Sequence, residues 1–467
     1  MLFSSIPFLY YFLPLVLALY FLVPKKGKNL VLLIASLFFY FYGEPVYVLL
    51  MIGACLSSYV HGLLIHRFRG SVWAKIFLWS SIATSLAMLG FFKYSDFFLE
   101  NLNAITGLNI PLLGLALPIG ISFYTFQTLS YTVDVYRGDA AVQRNFISLA
   151  TYVSLFPQLI AGPIVRYTTV EEDLSGRTHS LEKFSAGISR FLIGLGKKVL
   201  IANQLGELCD IFRRSSDQSV LFFWLYAVGF SLHIYFDFSG YSDMAIGLGK
   251  VFGFRFLENF NYPFISKSIS EFWRRWHISL GSWFRDYVYI PLGGNRVAKG
   301  KWLRNILIVW LLTGFWHGAA WNFIVWGLFF GFFLVMEKFF LGEGLKKLPG
   351  VFTHIYVLFL VMISFVIFNA SSMSQAFSDI AGLFGAGGIP MVSREALYQL
   401  RSFAWILLFA MVGATPIPKQ IILKIKANPT GHKIINVLEP VFLAALLLAV
   451  TAYLVDGSFN PFLYFRF

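Results

Sequence analysis

The chain has 467 residues, of which 58% are hydrophobic, 19% aromatic and 13% charged. In soluble domains about a quarter of all residues are charged, so this composition excludes a soluble enzyme and indicates an integral membrane protein. The formal net charge is +14 at pH 7. Basic loops held against anionic lipid explain such an excess, and a chain this apolar is not expected to bind nucleic acid.

Apolar segments long enough to cross about 30 Å of hydrocarbon recur along the whole chain. The predicted spans cover residues 5–23, 29–43, 45–65, 73–92, 113–133, 146–164, 184–204, 219–236, 304–334, 352–370, 400–418 and 434–455. Several are short or broken by Gly or Pro, so we expect about eleven crossings, with re-entrant segments making up the rest. The predicted fold is an all-α polytopic membrane protein with one domain. Within it, outer hairpins cover 1–110, a core with polar breaks covers 111–340, and plain spans cover 341–467.

The distribution of basic residues predicts how the chain is oriented in the membrane. Lysines and arginines follow the first and third predicted spans, at Lys25, Lys26, Lys28, Arg67, Arg69 and Lys75. The loop between these two clusters, around 43–45, has neither residue type. Because basic loops stay in the cytoplasm, we expect an extracytoplasmic N-terminus. The first apolar segment has no basic flank before it, so we expect it to be retained as a membrane span and not cleaved as a signal peptide.

Two stretches of the core carry polar or helix-breaking residues into apolar surroundings. Residues 118–127 begin with a Pro/Gly break and end in Gln127, a candidate for lining a channel. Residues 156–166 are bracketed by two prolines. Irregular backbone at membrane depth must be buried in protein or line a wet cavity, which favours a re-entrant segment. A proline-kinked helix explains the second stretch equally well.

Residues 231–245 bring one histidine and two aspartates into one apolar neighbourhood. His233 and Asp237 stand four residues apart and share a helix face, which allows a direct hydrogen bond. The alternative is that both aspartates cap broken helices or pair with arginines, and this is the favoured interpretation for Asp237. Asp243 is as good a candidate for a channel-lining residue. Cys55 and Cys209 are expected to be buried small hydrophobes, because two cysteines form no metal framework.

Residues 254–296 are too polar to span a membrane and too aromatic for a free loop, so we expect short helices at the interface. Guanidinium groups match the geometry of phosphates, and the turn at 293–296 adds backbone amides. The candidate residues for binding a phosphate-bearing acyl donor are Arg274, Arg275, Trp276, Arg285, Asp286, Asn295 and Arg296. An interfacial anchor with snorkelling arginines, or binding of anionic lipid, would use the same residues.

His317 is the ionisable residue between Arg304 and Glu337 in an otherwise apolar stretch. A lone histidine in an apolar helix is more often structural than catalytic. Here Gly314 and Gly318 flank it, and Trp316 and Trp321 are placed to wall the site. Burial disfavours the charged imidazole, and a neutral imidazole can accept a proton as a general base. The residues by themselves favour neither interpretation.

Several motifs, in the same order along nearly the whole chain, resemble the membrane-bound O-acyltransferase family, especially its bacterial members that acetylate exported polysaccharides. They lie at 118–127, 134–139, 235–245, 271–296, 315–319 and 461–467. The resemblance implies a ring of spans around a thinned centre, a catalytic His317 in a Trp-His-Gly motif and a second important histidine at His277. Two departures are visible. The chain has Asn369 where the family usually shows arginine, and its stretch 419–433 is short, which weakens alginate as the polymer.

The resemblance also implies the reaction partners. The acyl donor would be acetyl-CoA or an acyl-carrier-protein thioester, with no permanently bound cofactor and no metal. The final acceptor would be an exported, alginate-like polysaccharide, reached through an extracytoplasmic partner of the SGNH-hydrolase type, and the location would be the bacterial plasma membrane. Three alternatives stay open: D-alanyl transfer for teichoic acid, a polysaccharide flippase or transporter, and an O-acyltransferase for lipid or protein.

Overall fold

The computed structural model describes residues 1–457, and these residues form helices and connecting loops without a β-strand. The motif at 461–467 lies outside the described residues. The all-α polytopic class is therefore confirmed. By contacts the chain divides into two compact units, one with Met1–Phe191 and Ser242–Leu257, the other with Leu192–Tyr241 and Glu258–Phe467.

The first part of the chain holds ten α-helices: Leu13–Leu22, Lys28–Gly43, Val48–Arg67, Val72–Leu89, Ser95–Thr106, Ile121–Arg137, Phe146–Ser154, Phe156–Leu159, Tyr167–Gly176 and Leu181–Gly196. Those that follow are Asn203–Arg214, Val220–Val251, Ile269–Arg275, Ile278–Phe284, Lys299–His317, Trp321–Met336, Gly342–Lys347, Gly350–Asn369, Met373–Leu383, Arg394–Gly413, Ile417–Lys426 and Pro429–Asp456. π-helical turns extend or join several of them, at Phe8–Phe12, Gly90–Tyr94, Lys197–Ala202, Arg285–Tyr289 and Glu337–Leu341.

Among the described residues, seven helical segments are long and apolar enough to cross a membrane: Val48–Arg67, Val72–Thr106, Val220–Val251, Trp321–Lys347, Gly350–Asn369, Arg394–Gly413 and Pro429–Asp456. This is fewer than the eleven crossings expected from hydropathy. Two of the predicted spans are interrupted by breaks in the helix. The predicted span at 304–334 is two helices separated at 318–320, and that at 146–164 is two short helices followed by a non-helical turn.

In the first unit, the break at 155–156 is buried in protein. Leu155, between the Phe146–Ser154 and Phe156–Leu159 helices, has a non-helical ψ of 110°. The backbone N–H of Phe156 donates to Ser36 Oγ at 3.0 Å, and Gln158 Nε2 donates to the carbonyl of Tyr152 at 2.5 Å. These bonds replace those that a continuous helix would supply, which is how irregular backbone persists at membrane depth.

In the second unit, the Lys299–His317 and Trp321–Met336 helices form a tight hairpin. Glycine makes the close approach possible, because a Cβ added at Gly327 would meet the backbone of Trp310 and would lie 2.9 Å from the backbone nitrogen of Gly314. A Cβ added at Gly314 would meet the carbonyl of Phe323. Small residues let helix backbones pack this closely in membranes. The hairpin sets the position of His317, which is the last residue of its first helix.

Candidate active site

His317 lies at a break in the chain and is 6% exposed. Its helix ends there because Gly318 continues in an extended conformation, with φ of −170°. A Cβ at Gly318 would clash with the ring of Phe323, so glycine is what allows this ring to lie against the turn. The break thus holds an imidazole inside the second unit, where the regular helical hydrogen-bond pattern is interrupted.

Aromatic rings surround His317. Its ring centroid lies 4.9 Å from that of Trp316, 4.9 Å from that of Trp326 and 5.4 Å from that of Phe368, all close to edge-to-face. The backbone at Phe368 is fixed in turn, because Asn322 Nδ2 donates to the carbonyls of Phe368 and Ala370 at 3.1 and 3.0 Å. Such packing fixes the imidazole orientation and keeps bulk water away from it.

The structure brings the two predicted histidines together. The ring centroids of His277 and His317 are 6.4 Å apart, and that of Trp316 is 5.9 Å from His277. His277 is 1% exposed and lies outside the seven candidate spans. Burial lowers the pKa of His277 to about 3, so its imidazole is neutral at physiological pH. The second unit therefore contains one site with two buried histidines.

The backbone at His277 is unusual. It has φ of 44°, a left-handed conformation that non-glycine residues seldom adopt, and the Ile278–Phe284 helix starts directly after it. Strained conformations of this kind persist where the surroundings enforce them, and they cluster at functional sites. The conformation turns the chain between two short helices and directs the imidazole toward Phe238, whose ring centroid is 4.6 Å away.

Asn259 enforces this geometry. It is fully buried, its backbone carbonyl accepts from the N–H of Ile278 at 2.9 Å, and its Oδ1 lies 3.3 Å from His277 Nδ1. The same Oδ1 accepts from the backbone N–H and the hydroxyl of Ser279 at 3.2 and 2.9 Å. If Nδ1 carries the proton, Asn259 orients the ring and leaves Nε2 as the acceptor. Sequence reasoning missed Asn259, because a single asparagine in an aromatic stretch carries no pattern.

We predict that Asn259→Ala lowers both the stability of the protein and acyl transfer, the activity that the family resemblance implies. Ser279 and His277 would lose their shared acceptor, which costs about 1–3 kcal/mol when the groups are buried. The thermal midpoint of the purified protein and the transfer rate at matched protein level would be measured together. Asn428→Ala, which removes a helix cap at an exposed loop, is the matched control. Unchanged transfer in a correctly folded Asn259→Ala protein would show that Asn259 does not position His277.

The predicted donor-binding residues divide into paired and unpaired ones. Arg275 pairs with Glu271 at 2.9 Å, and Arg285 pairs with the adjacent Asp286 at 2.6 Å. Arg274, Asn295 and Arg296 are exposed. Neither Arg274 nor Arg296 forms an ion pair within residues 1–457, so both guanidinium groups are accessible to a ligand. Trp276 is buried and packs on Phe260, Phe272 and Phe365.

The remaining predicted site residues occupy different surroundings. Trp316 is buried beside His317, whereas Trp321, at the start of the next helix, is 54% exposed. Gln127 and Asp243 belong to the first unit, where Gln127 is buried and Asp243 pairs with Arg190 at 2.8 Å. Cys55 and Cys209 are buried free thiols. Within residues 1–457 no cluster of three His, Cys, Asp or Glu side chains could hold a metal ion.

The second unit also contains a buried ion pair that the sequence did not predict. Lys198 Nζ lies 2.5 Å from Asp237 Oδ1, and the two side chains are 2% and 1% exposed. His233 Nδ1 lies 2.6 Å from the carbonyl oxygen of Ala202. Both contacts join the Val220–Val251 helix to the π-helical turn Lys197–Ala202. Asp237 thus pairs with a lysine, which agrees with the expectation that Asp237 has a structural role.

Comparison with known proteins places these features in a family. The sequence profile of the membrane-bound O-acyltransferase family matches residues 46–343. The chain is 39% identical to the probable alginate O-acetylase AlgI of Azotobacter vinelandii over the full length of both proteins. It is 43% identical to the corresponding Pseudomonas aeruginosa protein, over 83% of this chain and 75% of that one. A Helicobacter pylori peptidoglycan O-acetyltransferase is 34% identical over 85% of this chain and 82% of its own.

The chain therefore belongs to the membrane-bound O-acyltransferase family, and it is a membrane O-acyltransferase. The resemblance seen in the sequence motifs is confirmed. Family membership also favours acyl transfer over the transporter that the residues alone had left open. The site that contains His277 and His317 lies within the matched segment.

Proposed function

We propose that this protein moves an acetyl group from a cytoplasmic thioester donor to a hydroxyl on the opposite side of the membrane, for O-acetylation of an exported polysaccharide. The observation that carries the proposal is the pair of buried histidines, with ring centroids 6.4 Å apart, enclosed by aromatic side chains. A neutral imidazole shielded from water is suited to general-base catalysis of acyl transfer. An imidazole exposed to bulk water would also activate water, which would hydrolyse the thioester.

In the proposed reaction, His317 accepts the proton of the acceptor hydroxyl. The hydroxyl oxygen attacks the thioester carbonyl carbon, the C–S bond breaks, and the departing thiolate takes the proton back from His317. His277, oriented by Asn259, positions the donor or lines its path to the reacting carbon. Trp316, Trp326 and Phe368 exclude water, which would otherwise hydrolyse the thioester.

The donor is proposed to bind through its phosphates at the cytoplasmic face. Arg274 and Arg296 are the exposed guanidinium groups of the 254–296 segment that lack an ion pair within residues 1–457. Both acetyl-CoA and an acyl-carrier-protein thioester bear phosphate next to a pantetheine arm, so the same residues serve either donor.

The proposed location is the bacterial plasma membrane, with the N-terminus outside. Basic residues cluster at Lys25–Gly27 and at the end of Val48–Arg67, which an extracytoplasmic N-terminus would place in the cytoplasm. The acetyl group would pass to an extracytoplasmic protein of the SGNH-hydrolase type before it reaches the polymer. The names of the relatives, alginate O-acetylase and peptidoglycan O-acetyltransferase, indicate a carbohydrate polymer as the acceptor class.

The experiment that tests this function is complementation of a deletion strain with the wild-type gene. Ester-linked acetate would be measured on the secreted polysaccharide and on peptidoglycan, and ester-linked D-alanine on teichoic acid where the organism makes it. We expect the acetate on one exported polymer to disappear in the deletion strain and to return on complementation. Loss of D-alanine esters instead would identify the teichoic-acid reaction and overturn the proposed acyl group.

A further inference from the structure

We propose that a cavity in the second unit binds the headgroup of an anionic phospholipid. The cavity has a volume of about 750 Å³ and lies where the Lys299–His317 and Trp321–Met336 helices approach the segment around Lys267. This volume is in the usual range for small-molecule sites. The inference concerns a site separate from the histidine pair and does not rest on the proposed function.

Part of the cavity lining is cationic. Lys267, Lys338 and Lys346 line it, together with the polar groups of Ser270 and Asn295. Within residues 1–457, Lys346 pairs with Glu343 at 2.6 Å, whereas Lys267 and Lys338 form no ion pair with a carboxylate. The ammonium group of Lys338 lies 3.7 Å from the ring centroid of Trp302, which also lines the cavity. Two lysines thus retain charge for a ligand.

The one carboxylate that lines the cavity is already engaged. Glu337 is 6% exposed and accepts from the backbone N–H groups of Ile269 and Ser270 at 2.5 and 3.1 Å. It also accepts from the Ser270 hydroxyl at 3.1 Å. These hydrogen bonds hold the Glu337 carboxylate at the start of the Ile269–Arg275 helix. Its single negative charge does not neutralise both lysines. The cavity keeps a positive potential that attracts an anion.

Another part of the cavity lining is apolar. Ile306, Leu334, Leu345 and Leu348 line it. Large apolar side chains close to them in the sequence are exposed: Leu303, Leu307, Phe340, Val351 and Phe352. In a membrane protein such surfaces contact acyl chains. A ligand with an anionic head and an apolar tail matches this mixed lining, which favours a phospholipid over a water-soluble phosphate.

The cavity and the acyl-transfer site are separated along one helix. Ile306 precedes His317 by eleven residues, which at 1.5 Å per residue is about 16 Å. Asn295 is the one predicted donor-binding residue that lines the cavity. A donor phosphate is therefore the competing source of the same chemistry, and the experiment must separate the two.

The test uses the full chain purified in neutral detergent and depleted of lipid. The thermal midpoint would be followed while phosphatidylglycerol or phosphatidylcholine is added in mixed micelles. We expect phosphatidylglycerol alone to raise the midpoint, and Lys267→Gln with Lys338→Gln to weaken its apparent affinity by about tenfold, since each basic residue contributes to anionic-lipid attraction. The charge-retaining pair Lys267→Arg with Lys338→Arg should keep the response.

The matched control is Lys419→Gln with Lys424→Gln, which removes two exposed lysines from the Ile417–Lys426 helix. An equal loss of affinity in this control would mean diffuse attraction and would overturn the site. Coenzyme A and inorganic phosphate are added in separate arms. If coenzyme A displaces phosphatidylglycerol, or if inorganic phosphate raises the midpoint equally, the cavity recognises a soluble phosphate and the lipid proposal is wrong.

Discussion

Replacing His317 by alanine is expected to lower acyl transfer by about 10²–10⁴-fold, because the acceptor hydroxyl would lose its general base. The side chain is 6% exposed and is packed among Trp316, Trp326 and Phe368. The ring of His277 contacts that of His317, with the two centroids 6.4 Å apart. The measurement is ester-linked acetate on the exported polymer in a deletion strain that carries each variant at matched membrane level.

Two further variants make this prediction specific. His432→Ala removes an exposed histidine and should leave acetate at the wild-type level. His277→Ala should also reduce transfer strongly, since its ring shares the site, but with a smaller loss if it positions the donor and exchanges no proton. Full acetylation by a folded His317→Ala protein would make the buried histidine structural and would remove the proposed mechanism.

The two histidines were predicted through the family resemblance of the short motifs in which they stand, because the residues alone favoured neither a structural nor a catalytic role for His317. Their proximity could not be predicted in the same way. His277 and His317 are forty residues apart in the chain, and the 6.4 Å between their rings depends on the left-handed backbone at His277 and on the break after His317. Neither conformation leaves a periodic signal, because both come from tertiary packing.

The residues that hold the site were mostly invisible in the sequence. Each of three asparagines acts through its side-chain amide on a partner far away in the sequence. Asn259 contacts the His277 ring, and Asn322 donates to the carbonyl of Ala370. Asn369 Nδ2 donates to the Tyr226 hydroxyl at 2.8 Å. Where this chain has Asn369, the family resemblance implies an arginine. In this chain the guanidinium group of Arg213 reaches the same hydroxyl at 2.5 Å from another helix.

The predicted arginine cluster illustrates the opposite case. Four arginines in 254–296 were predicted to bind a donor. The polar and aromatic composition of this segment was sufficient to predict that it lies at the membrane interface. The i, i+4 spacing of Glu271 and Arg275 already indicates a helical ion pair, which the structure contains. Hydropathy likewise predicted the all-α class, but a window average passes over the break at 318–320 and joins two helices into one predicted span.

Removing one member of the buried Lys198–Asp237 pair is expected to destabilise the protein by about 3–5 kcal/mol, because the remaining charge would be buried without its partner. The nitrogen–oxygen distance is 2.5 Å, and both side chains are almost completely buried. Asp237 lies within a candidate membrane span, where hydration cannot compensate. Lys198→Met and Asp237→Leu should each lower the thermal midpoint and the yield of folded protein from the membrane.

The double variant Lys198→Met with Asp237→Leu separates structure from chemistry. Replacing both charges of a buried pair by apolar groups is often neutral or stabilising, so the double variant should fold far better than either single one. Phe238, the residue after Asp237, contacts the His277 ring at 4.6 Å, so correct packing of this helix keeps the site in place. We therefore expect the double variant to recover both its thermal midpoint and most of its acyl transfer. Recovery of the midpoint without transfer would show instead that the pair takes part in the reaction, and equal destabilisation of all three variants would contradict a direct ion pair.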